Sequence, residues 1–227
     1  MTPTDRPTSA TADPERTRHI QANYARWARI YDWCARVTVP VGGVRSGCIS
    51  ALDLAPGDTV VEFGCGPGVN LSPLRERVGP SGHVVGVDIT GRMLDRARAL
   101  VARRGWENVS LVQADATTAP IAAADAVLAT FVTSLFPDPY TVVSEWCGIA
   151  DTVVVANFAP RGNRVANAAL WGLTQVNAEL FDASGADALA QLEERTSASR
   201  RALADCMDTV DSEQYVLGTI TVNAGRR

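Results

Sequence analysis

Thr59-Val60-Val61-Glu62-Phe63-Gly64-Cys65-Gly66-Pro67-Gly68 runs from a short apolar stretch through one acid into three glycines at alternate positions. The order reads as a buried strand, a tight glycine turn and a helix that starts at Asn70 or Leu71. Glycine admits backbone angles that a Cβ penalises, and it lets a ligand lie directly on the main chain. Strand, glycine-rich turn and helix is how parallel α/β proteins hold nucleotide-like ligands. The dinucleotide fingerprint G-x-G-x-x-G fits poorly, because Val69 stands where its third glycine belongs and Gly68 comes one residue early. The plainest alternative is a glycine turn without a ligand, with Glu62 in solvent.

Three further segments repeat the theme. Gly82-His83-Val84-Val85-Gly86-Val87-Asp88 is a second apolar run that ends in an acid. Asp88 follows the turn by about 20 residues, the spacing at which an acid on the next strand reaches ribose hydroxyls. A carboxylate suits that task because it is an acceptor with two oxygens; the competing role for Asp88 is a helix N-cap. Val109-Ser110-Leu111-Val112-Gln113-Ala114-Asp115-Ala116 is a third such strand. Ala124 to Phe131 is a fourth, followed by the loop Val132-Thr133-Ser134-Leu135-Phe136-Pro137-Asp138-Pro139.

The E-x-G-x-G-x-G turn, followed by these acids in order, resembles the class I S-adenosylmethionine (AdoMet) methyltransferases. The likeness is close from Leu52 to Phe158 and loose elsewhere. It implies AdoMet as cofactor, with Glu62 neutralising its amino group and Gly64, Cys65 and Gly66 giving it room. It further implies Asp88 on the ribose, Met93 packed on the adenine, Asp115 accepting from the adenine amino group beside Ala116, and Thr130 at the start of the loop into the substrate pocket. Tyr24-Ala25-Arg26-Trp27-Ala28-Arg29-Ile30-Tyr31-Asp32 is similar to the opening of the small-molecule branch, the ubiquinone/menaquinone and phosphatidylethanolamine methylating enzymes. There the segment is part of a lid. Here its aromatics serve either as lid or as core.

Composition suits this reading. The chain has 227 residues, 46% of them hydrophobic, enough for one α/β domain with an added cap. No apolar run reaches the roughly 20 residues of a membrane span, and the first residues lack the apolar segment of a secretory signal. A net charge of −4 argues against a nucleic-acid partner. Every basic residue is Arg, which bears on genome composition and not on chemistry. Cys34, Cys48, Cys65, Cys147 and Cys206 are scattered, so neither a disulfide framework nor a metal site is expected, and a cytoplasmic location is the default. Cys65 reads as a small space-filler in the turn.

The expected fold is α/β: a Rossmann-like, doubly wound sheet of six or seven mostly parallel strands with an antiparallel C-terminal strand, an N-terminal helical lid and a C-terminal helical cap. Residues 1–17 form a disordered tail and 18–227 one methyltransferase domain, with lid helices over 18–52, the AdoMet core over 53–158, and cap helices and terminal strand over 159–227. Tyr215 to Val222 reads as the last strand, and the only room for a strand before it is Met207 to Asp211. Helices are expected over Val44–Leu52, Leu71–Val78, Gly91–Arg104, from Asp138-Pro139 to Cys147, over Asn163–Phe181 and over Asp187–Cys206.

Methyl transfer needs no metal and no covalent nucleophile; the cofactor carries the reactivity and the protein orients it. Catalytic candidates are Tyr24, Tyr31, Asp32 and the loop from Thr130 to Ser134, with His19 less well placed, whereas His83 reads as structural. A His that many relatives carry near Ser134 or Leu135 is absent. The function expected is methylation of a small or lipophilic acceptor: a quinone precursor, a phenol or an amine. The alternative is a non-catalytic AdoMet-binding or regulatory protein. A second copy of the chain is an open partner.

Overall fold

The computed structural model describes residues 43–159 and 186–227, with side chains of the second segment from 190 onward. Strands β1 (Thr59–Phe63), β2 (His83–Asp88), β3 (Val109–Gln113), β4 (Ala124–Thr130), β5 (Ala150–Phe158), β6 (Thr209–Tyr215) and β7 (Ile220–Arg226) form one seven-stranded sheet in the order β3-β2-β1-β4-β5-β7-β6. The first five are parallel; β7 runs antiparallel to β5, and β6 to β7. The chain winds outward from β1 to β3, then returns to place β4 on the other side of β1. The strand order reverses there, which opens a crevice at the carboxyl ends of β1 and β4.

Helices α1 (Val44–Ala51), α2 (Leu71–Val78) and α3 (Gly91–Arg104) cover one face, and α4 (Pro139–Cys147) and α5 (Ala186–Cys206) the other. Because side chains alternate along a strand, Val60, Leu128, Val154 and Ala156 pack under the first layer, while Val61, Phe63, Val127 and Val155 pack under the second. Val153 to Ala156 are wholly buried, which is why β5 reads as a continuous apolar run. Asp138 starts α4 by accepting from Thr141 N at 3.1 Å, with Pro139 in the first turn, where its missing N–H costs nothing. No described helix is long and apolar enough to cross a membrane.

The C-terminal strands correct the sequence reading. Tyr215 to Val222 is not one strand: a hairpin turn splits it, with Gly218 N donating to Tyr215 O at 3.0 Å, and the last strand is Ile220–Arg226. Room for the preceding strand is filled by β6, so the sheet has seven strands and none is degenerate. β6 was hard to see because it is an edge. Its exposed Asp211, Ser212, Glu213 and Gln214 carry no apolar alternation, and charge on an edge strand prevents pairing with other chains. The third strand also ends early, at Gln113, leaving Asp115 in a turn. The helix expected as an N-terminal lid, with His19, Tyr24, Trp27, Tyr31 and Trp33, and the helix expected over Asn163–Phe181 lie outside the described residues.

The hairpin turn is strained in a way that yields a prediction. Val216 and Leu217 hold positive φ, 51° and 57°, where Asn-Gly is the favoured pair. Leu217 is 87% exposed and contributes no core packing. Leu217→Gly relieves the left-handed strain and loses some of the gain to unfolded-state entropy, so a net stabilisation of about 0.5–1 kcal/mol is expected. Thermal unfolding reads it as a small rise in Tm; a fall would mean that Leu217 has a partner that holds it there.

Candidate functional site

Glu62 shares a face of β1 with Val60, and that face lies beneath α1 and α2. An acid in the middle of an apolar strand is thereby driven under two helices and is 1% exposed. Asn70 meets it there. Asn70 stands at the N-cap of α2, yet its side chain makes no capping bond. It turns inward instead: Nδ2 donates to Glu62 Oε1 at 2.6 Å and, at a longer 3.4 Å, to Thr130 Oγ1 at the end of β4. Its Oδ1 accepts from Arg45 Nη1 of α1 at 2.8 Å. Glu62 Oε2, equally buried, has no hydrogen-bond partner among the described residues. Burial pushes the Glu62 carboxyl up to about 8, against the pull of Asn70 and Arg45 and with a push from Asp88. A buried acceptor without a donor is costly, so the arrangement suits a small cationic group with N–H donors.

The glycine turn is tied to β2. Gly64 N and Cys65 N both donate to Val87 O, at 2.8 and 3.0 Å. Asp88 extends the tie: its Oδ2 accepts from Gly66 N at 2.9 Å and its Oδ1 from Thr90 N at 2.8 Å. Burial raises the Asp88 carboxyl from its ordinary value, while the two backbone N–H groups oppose the shift. Asp88 is not the N-cap of α3; Thr90 occupies that position. Two glycines differ instructively. A Cβ on Gly68 (φ +84°) would come within 2.6 Å of Leu71 Cδ1, so this glycine is demanded by the packing of the turn on its own helix. A Cβ on Gly66 (φ +53°) would meet nothing within 4 Å. Among the described residues, no protein group fills the space beside Gly66.

The remaining candidates fall around this turn. Cys65 is buried with its thiol against Gly86, and burial beside Glu62 and Asp88 pushes the thiol well above its usual range, so it fills space and does not attack. Met93 is wholly buried in the first turn of α3. Asp115 sits just after β3, where Ala114 N is bonded to Asp88 O at 3.2 Å; its Oδ1 accepts from Thr117 N and Oγ1. Ala116 O accepts from Trp146 Nε1 at 3.2 Å. Glu62, Gly64, Cys65, Gly66, Asp88 and Thr130 are thus brought together directly, and Asp115 and Ala116 follow through the backbone of Ala114. His19, Tyr24, Tyr31 and Asp32 lie outside the described residues.

After Thr130 the chain is held by unusual means. Phe131 has φ +61°, an uncommon conformation for a bulky residue, and its ring stacks on Phe158 with centroids 4.6 Å apart. Thr133 Oγ1 donates to the buried Asn157 Oδ1 at 2.6 Å, and Arg195 of α5 donates to Ser134 O at 2.8 Å. The segment 131–135 is therefore fixed from both β5 and α5. Arg45 and Asn70 were missed as site residues in the sequence. Asn70 carried a faint signal, an N-cap residue next to a buried acid; Arg45 carried none, since 25 positions separate it from Asn70.

The family described as a methyltransferase domain matches residues 60–150. A phosphatidylethanolamine N-methyltransferase from Cereibacter sphaeroides is 35% identical over 147 residues, covering 62% of this chain and 68% of that protein. The aklanonic acid methyltransferase DauC from Streptomyces is 35% identical over 97 residues, 42% of this chain and 44% of that one. The chain spans less than half the length of the first curated relatives it matches, between 24% and 44% of each. Among solved structures, a magnesium protoporphyrin IX methyltransferase from Synechocystis with bound SAH superposes with a TM-score of 0.64, covering 93% of this chain and 99% of that one at 18% identity, a likeness of fold.

Proposed function

Because the chain belongs to the class I S-adenosylmethionine-dependent methyltransferases, we propose that it transfers a methyl group from AdoMet to a small or lipophilic acceptor. Quinone precursors, phenols and amines are the acceptor classes. The observation that carries the reading is the orphaned Glu62 Oε2, a buried carboxylate oxygen whose missing partner is matched by an ammonium group. The open space beside Gly66 supports it, since a ligand there would lie on the main chain.

In this proposal Glu62 holds the amino group of the cofactor, Gly64, Cys65 and Gly66 line the methionyl part, and Asp88 takes the ribose hydroxyls through lone pairs left after its two backbone bonds. Met93, Asp115 and Ala116 surround the adenine, and Thr130 marks the floor between cofactor and acceptor. Bound there, AdoMet supplies an electrophilic methyl group for in-line displacement; the chain supplies position and exclusion of water. The segment 131–137 contains no basic side chain, so its part is to shape and orient, with the Phe131–Phe158 stack as an apolar wall. A proton lost by the acceptor would pass to solvent or to Tyr24, Tyr31 or His19. The lid over 18–52, core over 53–158 and cap over 159–227 belong to the same proposal. So do a cytoplasmic setting and the lack of a nucleic-acid partner. The names of the relatives above, which mention phosphatidylethanolamine and aklanonic acid, support a small or lipophilic acceptor.

Incubation with AdoMet and a panel of quinols, phenols, amines and aminolipids, read by mass spectrometry, tests the reading. A product heavier by one methylene with one class supports it. Cofactor binding without product from any class would favour the non-catalytic alternative. Asp88→Ala removes the ribose acceptor and the tie to Gly66 N together, so AdoMet affinity is expected to fall by about 1.5–3 kcal/mol. Unchanged affinity in a calorimetric titration would remove Asp88 from the site.

A further inference from the structure

Cys147 is the last residue of α4 and Cys206 the last of α5. Both helices pack on one face of the sheet, and Cys147 shares a buried cluster with Ala202, Leu203 and Met207 around the end of α5. Side chains seven positions apart lie on one helix face, and both Tyr140 and Cys147 meet α5. Tyr140 Oη donates to Asp205 Oδ2 at 2.9 Å. The Cys147 thiol donates to the Cys206 sulfur. Cys147 is 1% exposed, whereas Cys206 faces solvent. Two thiols far apart in the sequence thus touch where α4 and α5 end, one sheltered and one open.

Other bonds hold the two helix ends independently of these thiols. Asp208 N, just past Cys206, donates to Arg226 O at 2.9 Å, and the adjoining Arg227 sends Nη2 to Cys147 O at 2.6 Å. Arg227 N donates in turn to Asp151 O at 3.0 Å, beside the start of β5. Arg226 and Arg227 therefore bridge the end of α5 to the end of α4. Cysteines whose Cα atoms lie more than about 7 Å apart need backbone movement before they bond; thiols already in contact on fixed helix ends need little. We infer that Cys147 and Cys206 form a modification site, a thiol pair that peroxide closes into a reversible disulfide stapling α5 to α4.

Exposure decides the order of events. Burial, with Cys206 alongside, pushes the Cys147 thiol up to about 12 against the pull of Arg227, so peroxide reacts first at the open Cys206. The Cys206 sulfur attacks the O–O bond; a sulfenic acid forms and water leaves. The Cys147 sulfur then attacks Cys206, the S–S bond forms, the S–O bond breaks, and a second water carries off the Cys147 proton. Two thiols lose two electrons, and one peroxide becomes two waters. Little Cys147 is thiolate, which makes the closing step slow, and an external thiol reverses it. The staple fixes more than a helix end. Arg195 of α5 donates to Ser134 O at 2.8 Å and Thr196 to Phe158 O at 2.9 Å, so closure also secures the helix that holds the segment after β4 and the end of β5.

The test oxidises the full chain and its Cys206→Ser variant with hydrogen peroxide for several hours. Remaining thiols are then blocked with iodoacetamide in denaturant, and peptides are mapped by mass spectrometry without reductant. Wild type is expected to yield a peptide pair joining Cys147 to Cys206 within one chain. Its Tm should rise by about 5–15 °C relative to Cys206→Ser treated alike, as a long closed loop implies. Dithiothreitol should reverse both changes. Cys206→Ser, altered at an exposed position, should match reduced wild type in Tm and show neither the pair nor the rise. Cys206 recovered as sulfinic acid beside an alkylated Cys147, or joined to a second copy of the chain, would overturn the inference. So would a linked pair that leaves Tm unchanged, since no staple would then hold α5. Neither result depends on the cofactor reading above.

Discussion

Replacing Glu62 with Gln lowers the affinity for AdoMet by about a hundredfold, within the 2–5 kcal/mol span for losing one partner of a buried charge pair, and it makes the ligand-free protein more stable at alkaline pH. The two effects have one cause. Glu62 is buried with one oxygen unpartnered, and its carboxyl is raised from an ordinary 4.5 to about 8. Above 4.5 the unfolded chain gives up this proton while the folded chain keeps it. Stability from this group is therefore fully present below 4.5 and drains away as pH rises to about 8, at roughly 1.4 kcal/mol per unit within that window. Gln has no proton to lose. Urea unfolding of both proteins at pH 5 and pH 9 should show a falling stability for wild type and a flatter profile for Glu62→Gln. Parallel profiles would mean that water or a neighbouring group neutralises Glu62 already. A site residue whose removal strengthens the fold is what a binding function, not a packing function, requires.

Two glycine substitutions in the same turn should part company. Gly66→Ala places a methyl group in open space at a φ of +53°, where the backbone penalty is about 1–2 kcal/mol. The fold should survive, while AdoMet binding should fall by tenfold or more, because the methyl group occupies the room the ligand needs. Gly68→Ala drives a Cβ to 2.6 Å from Leu71 Cδ1 and 3.3 Å from Ala97 Cβ. That displaces the start of α2, the helix whose N-cap is Asn70, and a loss of about 2–4 kcal/mol is expected from overpacking and left-handed strain together. Thermal unfolding beside calorimetry separates them: Gly66→Ala moves affinity more than Tm, and Gly68→Ala moves Tm strongly. Equal losses of stability in both would mean that Gly66 serves the turn and not a ligand.

Much of the core was legible because its information is local. A β-branched run with an acid followed by glycines can hardly be anything but a strand and turn, and β1, β2 and β4 with α2, α3 and α4 fall within a residue or two of their expected ends. The hairpin β6–β7 was illegible because its edge strand is polar and its turn uses Val216 and Leu217 where Asn-Gly would announce it. Glu62, Gly66 and Asp88 stood out because two consecutive motifs place them within a single strand–turn–helix–strand unit. Arg45 did not, because its partnership with Asn70 exists only once α1 lies over the end of β1. Asn70 shows why pattern reading stops short: an Asn at a helix start is expected to cap it, and only the fold reveals that it faces an acid.

The claim on which the rest depends is that the buried Glu62 carboxyl receives the cofactor's ammonium group. Titrating the wild-type chain with AdoMet at pH 7, in two buffers of different ionisation enthalpy, tests it directly. With the Glu62 carboxyl at about 8 before binding, most molecules carry its proton at that pH, and a cation at Oε2 forces it off. One-to-one binding with release of close to one proton is the predicted result. Binding that exchanges no proton, or no binding at sub-millimolar ligand, would contradict it.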